Sequence, residues 1–277
     1  MKLGLTLGAL LLALALIWLL LLRCRHGSRR MEALGRFLYA HRGYHDRGQG
    51  VPENSMAAFR RAVACGWGAE LDVHLTKDGR LAVIHDSSLK RTAGADATVE
   101  ALTAGELADY RLEGTEERIP LLEEVLPLFD GVAPLIIELK TEAGNHRSLC
   151  RALWKLLEGY GGAYCIESFD PRAVRWFRRR QPQVLRGQLS CNMRKSGSDL
   201  HPAFNFALTN LLTNWFAVPD FIAYDHTQRR NLGRWLSCHI WGAQEVSWTV
   251  RQAQDQQRLE AEGCMIIFEG YDPRKMI

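Results

Sequence analysis

The chain alternates between short apolar runs and longer stretches in which apolar residues recur every three or four positions. The short runs predict buried strands at residues 37–40, 69–75, 81–85, 135–139, 163–168, 184–189, 221–224, 246–250 and 265–268. The helical spacing predicts helices at residues 55–65, 147–158, 171–180, 229–237 and 251–262. Near-continuous apolar strands that alternate with helices are typical of a parallel sheet covered by helices.

The number of these units predicts how the sheet closes. About eight strand–helix units in roughly 240 residues favour a TIM (β/α)₈ barrel. A doubly wound open sheet is the alternative, but no Gly-x-Gly-x-x-Gly follows an early strand. Residues 85–135 are rich in polar and turn-forming residues and hold two short helical candidates, at 103–110 and 121–129. We therefore predict an insertion after the second strand, at about residues 87–130, that projects from the barrel mouth.

The N-terminal segment has a different pattern. Residues 3–22 are twenty uncharged and mostly apolar positions, and at about 1.5 Å per residue such a helix crosses a hydrocarbon core of roughly 30 Å. A signal peptide has a shorter apolar region and a small-residue cleavage site. Here the run ends in Arg23-Cys24-Arg25, and the arginine before Cys24 also disfavours processing as a lipoprotein. Residues 1–30 are predicted to be an uncleaved transmembrane anchor with a basic flank, and residues 36–277 the barrel.

The distribution of charge orients this anchor and removes one class of partner. Lys2 precedes the apolar run and four arginines follow it within residues 23–30, so the positive-inside rule places the barrel in the cytoplasm of a single-pass membrane protein. Seven scattered cysteines without a Cys-x-x-Cys pair agree with reduced thiols. The formal charge of +4 divides into +5 within residues 1–36 and −1 in the rest, which leaves no basic footprint for nucleic acid. The oligomeric state stays open.

Reactive side chains gather at the ends of the predicted strands, where TIM barrels carry their active sites. They are His41, Arg42, Glu70, Asp72, His85, Glu138 and Lys140. Glu70 and Asp72 are two positions apart and therefore lie on one face of a strand. Three carboxylates converge inside a barrel only around positive charge, and oxygen-only ligands select Mg²⁺ or Ca²⁺ over zinc. The alternative interpretation is that Glu70 and Asp72 form salt bridges with Arg60, Arg61 or Lys77, and that the histidines have no catalytic role.

Several motifs that hold these residues resemble the glycerophosphodiester phosphodiesterases. They are His41-Arg42-Gly43, Pro52-Glu53-Asn54-Ser55, Glu70-Leu71-Asp72-Val73, Val83-Ile84-His85-Asp86, Ile137-Glu138-Leu139-Lys140 and Trp248-Thr249-Val250. The resemblance covers about residues 37–273. It implies a TIM barrel with an insertion after the second strand, in agreement with the hydrophobic pattern.

The resemblance also implies a role for each site residue. His41 and His85 are the implied acid/base pair; Glu70, Asp72 and Glu138 are the implied ligands of one divalent cation, Mg²⁺ or Ca²⁺; Arg42 and Lys140 would face the phosphate, and Trp248 would form an aromatic wall for the glycerol or leaving group. In such enzymes the neighbouring glycerol hydroxyl attacks phosphorus, and the resulting cyclic phosphate is opened by water.

The expected function is metal-dependent hydrolysis of a glycerophosphodiester to glycerol 3-phosphate and an alcohol. Membrane tethering makes lysophospholipase D activity on membrane lysophospholipids an alternative, and a catalytically inactive, membrane-tethered binding module a less favoured one. Arg251 and Glu269 depart from the family pattern, and we expect them to lie outside the acid/base and metal sets and to affect specificity. Glu53 and Asn54 are expected to cap the helix near Ser55 and to support the metal site.

Overall fold

The computed structural model describes residues 2–26 and 29–275. Within them the strands are β1 (Tyr39–Ala40), β2 (Gly68–Leu75), β3 (Leu81–Val83), β4 (Leu135–Leu139), β5 (Tyr164–Ser168), β6 (Arg186–Ser190), β7 (Phe221–Asp225), β8 (Gln244–Val250) and β9 (Met265–Phe268). Eight of these described strands, all but β3, pair in parallel in the order β1-β2-β4-β5-β6-β7-β8-β9. The ring closes because β1 pairs with both β9 and β2. The predicted TIM barrel is confirmed.

Helices connect successive strands around the outside of the ring. The described helices are α1 (Lys2–Leu21), α2 (Arg29–Leu34), α3 (Met56–Ala64), α4 (Lys90–Ala93), α5 (Ala104–Leu107), α6 (Leu122–Phe129), α7 (His146–Leu157), α8 (Pro171–Arg180), α9 (Pro202–Thr209), α10 (Asn214–Ala217), α11 (Leu232–His239) and α12 (Ala253–Ala261). The five helices expected from periodicity correspond to α3, α7, α8, α11 and α12. The sequence pattern missed α9 because Phe204 and Phe206 are solvent-exposed there, so its apolar residues do not mark a buried face.

Two apolar layers hold the barrel together. Inside the ring, buried residues such as Ile136, Phe221 and Ile267 pack against one another. Outside it, Leu71 and Ile137 belong to a second layer in which strands pack against α3, α6, α7 and α8. These two layers account for the nearly unbroken apolar character of the strands, since both faces of each strand are buried.

The segment after β2 begins with an antiparallel hairpin, because β3 pairs back onto the end of β2. Beyond β3, a separate small core forms around Ile84, Leu89, Val99, Leu107 and Ile119. The helix α6 then joins the outer layer of the barrel and leads into β4. The last helix within the segment predicted as an insertion is therefore part of the barrel wall, while the residues before it have a core of their own.

The N-terminal helix α1 is the described helix that is long and apolar enough to cross a membrane. Its leucines are exposed along most of its length, and it contacts the barrel mainly through its C-terminal end. There, Trp18 and Leu22 pack with Leu211 and Ile222, and the indole Nε1 of Trp241 donates a hydrogen bond to the Leu19 carbonyl oxygen at 2.9 Å. The helix α1 and the barrel are thus joined by direct contact.

Gly187 in β6 allows close packing inside the barrel. It is opposite Phe221 of β7, and a methyl group at position 187 would overlap the Phe221 ring. We expect Gly187→Ala to lower the free energy of unfolding by about 1–3 kcal/mol, because the ring must move within a close-packed core. Urea titration followed by tryptophan fluorescence measures this. Gly159→Ala is the control, since no atom lies within 4 Å of its added methyl group; equal losses in both variants would contradict the packing explanation.

Candidate active site

Three buried carboxylates from two adjacent strands meet at the C-terminal end of the barrel. Glu70 and Asp72 are on β2 and Glu138 is on β4, where Asp72 and Glu138 are register partners. One oxygen from each of the three lies within 4.8 Å of one from each of the others. The backbone N–H of Arg42 donates to Glu70 Oε2, and Asn54 Nδ2 donates to Asp72 Oδ2 at 2.9 Å, so neighbouring groups orient the cluster.

The charges around this cluster are unbalanced. Burial and the neighbouring carboxylates raise the pKa of Glu70 well above its usual value. Burial raises the pKa of Glu138 to about 7, although Lys140 opposes the shift. Lys140 Nζ lies 3.0 Å from Asp72 and 2.8 Å from Glu138. Burial disfavours the ionised form of Asp72 too, but Lys140 leads the charges that outweigh it and lower its pKa well below the ordinary range. Three converging carboxylates, two of them with raised pKa values, fit a divalent cation, whose charge would stabilise their ionised forms.

Two histidines each form a pair with a carboxylate. His41 follows β1 and its Nδ1 lies 2.5 Å from Glu269 Oε2, while His85 Nδ1 lies 2.6 Å from Asp86 Oδ1. Burial lowers the pKa of His41, and it lowers that of His85 to about 4. Neutral imidazoles can accept protons at cellular pH, and a carboxylate at Nδ1 fixes the ring and stabilises the cation that forms.

Arg42 is held by a second group of charges. Its backbone has φ 54°, a left-handed conformation that is uncommon outside glycine and here directs its N–H at Glu70. Its Nη1 donates to Glu53 Oε1 at 2.9 Å, and Glu53 also accepts from Arg91. Burial alone would raise the pKa of Glu53, but the two arginines lower it to about 2. The charged network keeps the Arg42 side chain at the edge of the carboxylate cluster.

The expected capping role of Glu53 and Asn54 is wrong. The N-cap of α3 is Ser55, whose Oγ accepts a hydrogen bond from the Ala58 N–H. Both side chains instead point toward the cluster, where Glu53 contacts Arg42 and Asn54 contacts Asp72. Within the described part of the chain, neither side chain bonds to a backbone N–H of α3, and Asn54 Oδ1 is buried without a hydrogen-bond partner.

A cavity of about 330 Å³ opens above the carboxylates and has two chemically distinct sides. The polar side is lined by His41, Arg42, Glu70, His85, Glu138, Lys140 and Glu167. The apolar side is lined by Phe169, Leu189, Cys191, Met193, Trp248 and Ile267. The structure thus brings together all eight residues predicted from the sequence, with seven in the cavity wall and Asp72 buried beside Lys140.

Comparison with known proteins identifies the family. The sequence profile described as "Glycerophosphoryl diester phosphodiesterase family" matches residues 41–269. The chain belongs to this family. The match begins at His41 and ends at Glu269, so it includes the whole cavity wall described above. The hydrolysis of glycerophosphodiesters is the activity that follows from membership.

Individual relatives agree with this assignment. The chain is 30% identical over 257 residues to a glycerophosphodiester phosphodiesterase of Caldanaerobacter subterraneus, with 86% of this chain and 95% of that protein covered. It is 35% identical over 148 residues to the rat (Rattus norvegicus) protein named Lysophospholipase D GDPD1, with 49% and 45% covered. An Oleispira antarctica phosphodiesterase solved with the product sn-glycerol-3-phosphate has the same fold, with a TM-score of 0.69, 22% identity, and 86% and 94% covered.

Arg251 and Glu269, which depart from the phosphodiesterase family pattern, lie closer to His41 than we expected from the sequence. Glu269 contacts His41 directly, and Arg251 Nη2 pairs with Glu269 Oε1 at 3.1 Å. The expectation that they lie apart from the acid/base set is therefore wrong. The sequence alone predicted an effect on specificity, because the pairing of β9 with β1, which places Glu269 beside His41, is not visible in local spacing.

Other cavity residues were missed altogether. Glu167 at the end of β5 is buried and neighbours Glu138 in the strand register, and burial with Glu138 raises its pKa well above normal. Phe169 packs edge-on against Trp248, with ring centroids 5.9 Å apart. The same signal that found Glu138, a carboxylate near the end of an apolar strand, was available for Glu167.

Glu269 offers a test of the histidine pair. We expect Glu269→Gln to lower kcat about 10-fold or more while KM changes little, because the amide no longer stabilises the charged imidazole of His41. Steady-state kinetics on a water-soluble glycerophosphodiester measure both constants. Glu269→Asp should recover part of the loss. Arg251→Gln is the control, because it removes the ion pair with Glu269 but keeps the contact between Glu269 and His41. An equal loss of kcat in Arg251→Gln would contradict a direct effect of Glu269 on His41.

Proposed function

We propose that this chain splits a glycerophosphodiester into glycerol 3-phosphate and an alcohol, with His41 and His85 moving the protons. Glu70, Asp72 and Glu138 are the proposed ligands of one divalent cation, Mg²⁺ or Ca²⁺. The observation that carries the proposal is the common cavity, where two histidine–carboxylate pairs adjoin the buried carboxylate triad. When bound, such a cation neutralises the phosphodiester anion and stabilises charge on its oxygens.

The histidines supply the proton transfers. With Nδ1 engaged by Glu269 or Asp86, each ring keeps Nε2 for the substrate. One neutral imidazole takes the proton of the neighbouring glycerol hydroxyl as its oxygen bonds to phosphorus. The other must first be protonated; its carboxylate and the phosphodiester anion stabilise this imidazolium, which then protonates the alcohol as its bond to phosphorus breaks. Water then opens the cyclic phosphate, and the two histidines exchange roles.

The remaining cavity residues position the substrate. Arg42 and Lys140 place positive charge beside the triad and attract the phosphate. Burial opposes the charged form of Lys140, but Asp72 and Glu138 outweigh it and raise its pKa, so it stays a cation. Trp248 and Phe169 form the aromatic wall against which the glycerol or leaving group packs.

Lysophospholipase D activity is the second candidate, because the cavity has an apolar side that a small polar diester does not need. Met193 and Cys191 belong to that side and start the loop that leads into α9, where Phe204 and Phe206 are exposed. Cys191 and Met193 also pack with Leu208 of α9, so the apolar surface of the cavity continues into the contact with this helix and offers space for part of an acyl chain. The partial match to rat Lysophospholipase D GDPD1 and the apolar helix α1 agree with a lipid substrate.

A substrate panel with metal titration tests these functions. Purified full-length protein is given glycerophosphocholine, glycerophosphoethanolamine and the matching lysophospholipids, each with EDTA, Mg²⁺ or Ca²⁺. Release of choline or ethanolamine that requires a divalent cation is the expected result. Preference for the lysolipids would establish the lipid variant. No release from any substrate under any metal condition would contradict the catalytic proposal and favour a binding module.

We also propose that α1 spans a membrane with the barrel on the cytoplasmic side. The exposed leucines of α1 and the arginines at positions 23 and 25 support this orientation. Alkaline carbonate should leave the protein in the membrane pellet. In sealed right-side-out membrane vesicles, externally added protease should leave the barrel intact. Release by carbonate or digestion from outside would contradict the topology.

A further inference from the structure

A groove of about 640 Å³ between α7 and α8 lies on the outer wall of the barrel, away from the catalytic cavity. Its lining includes Arg147, Arg151, Arg172, Arg175, Arg179 and Arg180. We propose that this arginine groove binds the headgroups of anionic phospholipids, in the membrane that α1 is proposed above to span. Such binding holds the barrel against the bilayer and is separate from catalysis.

The groove contains more positive charge than the protein neutralises. Arg172 pairs with Asp170 at 2.9 Å. In the part of the chain that the structure describes, the other five arginines have no carboxylate oxygen within 4.0 Å. Arg175 is fixed in the groove by the Phe216 ring, with its guanidinium carbon 3.9 Å from the ring centroid. Phosphate oxygens suit such a site because guanidinium groups bind them through paired hydrogen bonds.

The groove is continuous with the end of the membrane anchor. Arg178, on the same helix α8, donates from Nη1 to the carbonyl oxygens of Trp215 and Phe216 in α10, and α10 packs against α1. Burial lowers the pKa of Arg178, and the positive charges of Arg23 and Arg175 lower it further. The arginines of α8 and Arg23, just beyond α1, therefore form one positive region.

This continuity selects the bilayer as the occupant. Arg23 follows directly after the apolar run, so it lies at headgroup depth when α1 spans the membrane. The exposed Trp215 ring is on α10, between α1 and the groove, and tryptophan favours the membrane interface. A positively charged surface within a Debye length of anionic headgroups is attracted to them.

The test uses full-length protein in nanodiscs of phosphatidylcholine, with and without phosphatidylglycerol. Hydrogen exchange followed by mass spectrometry reports on α7 and α8. We expect exchange there to be slowed about five-fold or more by phosphatidylglycerol. The triple variant Arg147→Glu, Arg151→Glu, Arg179→Glu should lose this effect, and its unchanged hydrolysis of a water-soluble diester would show that it folds.

A charge-matched variant separates the groove from net charge. The variant Arg60→Glu, Lys77→Glu, Lys90→Glu changes three exposed cations, one on α3, one before β3 and one on α4, and should keep the lipid effect. Three results would overturn the inference. Exchange in α7 and α8 could be equal in both lipids, the triple variant of Arg147, Arg151 and Arg179 could keep the protection, or both variants could lose it. If carbonate releases the protein, the proposal that α1 spans the membrane is wrong. The unmodified protein, the groove variant and the charge-matched variant are then compared by sedimentation with vesicles of the same two compositions. Loss of binding to phosphatidylglycerol vesicles in the groove variant alone would still support the groove.

Discussion

Replacing His85 with alanine should lower kcat by 10²- to 10⁴-fold, the usual contribution of a general acid or base. The side chain lies in the cavity wall with Asp86 at Nδ1, and about a third of it is exposed, so its removal leaves little packing defect. His41→Ala should cause a loss of the same order. Steady-state assays of alcohol release at saturating substrate and metal measure kcat.

The matched control is a histidine outside the cavity. His146 lies on the outer surface at the start of α7 and bonds to the Gly144 carbonyl oxygen, so His146→Ala should leave kcat unchanged. Circular dichroism and thermal melting should be alike for all three variants. Turnover close to that of the unmodified protein in either His41→Ala or His85→Ala would remove that histidine from the proposed mechanism.

Much of this site could be predicted because its members interrupt apolar strands. Glu70, Asp72 and Glu138 stand inside runs that are otherwise buried, and a buried carboxylate needs a partner that offsets its loss of hydration. Parallel strands in a closed barrel end at one face, so residues from β2 and β4 had to meet. Local spacing and the rule that parallel strands end at one face were sufficient to predict the triad.

The partners of the histidines depend on closure of the ring, which local spacing does not reveal. His41 and Glu269 are 228 positions apart and meet because β1 pairs with β9. The exact register of that pairing decides whether Glu269 points at His41 or away from it. Asp86, by contrast, is adjacent to His85 in the chain and was visible in the motif, although its contact with Nδ1 was not.

The arginine groove was hidden for a different reason. Counting charge over residues 37–277 gives −1, because acidic residues elsewhere offset the cationic surface. Arg147 and Arg179 are 32 positions apart, on separate helices that pack side by side. A net charge describes the whole barrel, whereas headgroup binding depends on how charge is distributed over one face. Only the packing of α7 against α8 makes the cluster apparent.

Glu70→Gln should raise the divalent-metal concentration required for half-maximal activity by 10- to 100-fold or more. The amide keeps the size of the side chain but lacks the negative charge, and loss of even an outer contact of a metal site typically costs that much affinity. Activity at saturating metal should recover at least in part, since the histidines are unchanged. Isothermal titration calorimetry with Mg²⁺ or Ca²⁺ alone measures binding without reference to turnover.

Glu142→Gln provides the control for this titration. Glu142 is an exposed carboxylate two residues after Lys140, so its replacement removes the same charge near the end of the neighbouring strand β4 without touching the triad. Its metal titration should match that of the unmodified protein. If Glu70→Gln binds and responds to metal as the unmodified protein does, Glu70 is not a ligand. The buried carboxylates would then be explained by salt bridges alone, with Arg42 and Lys140 as the partners.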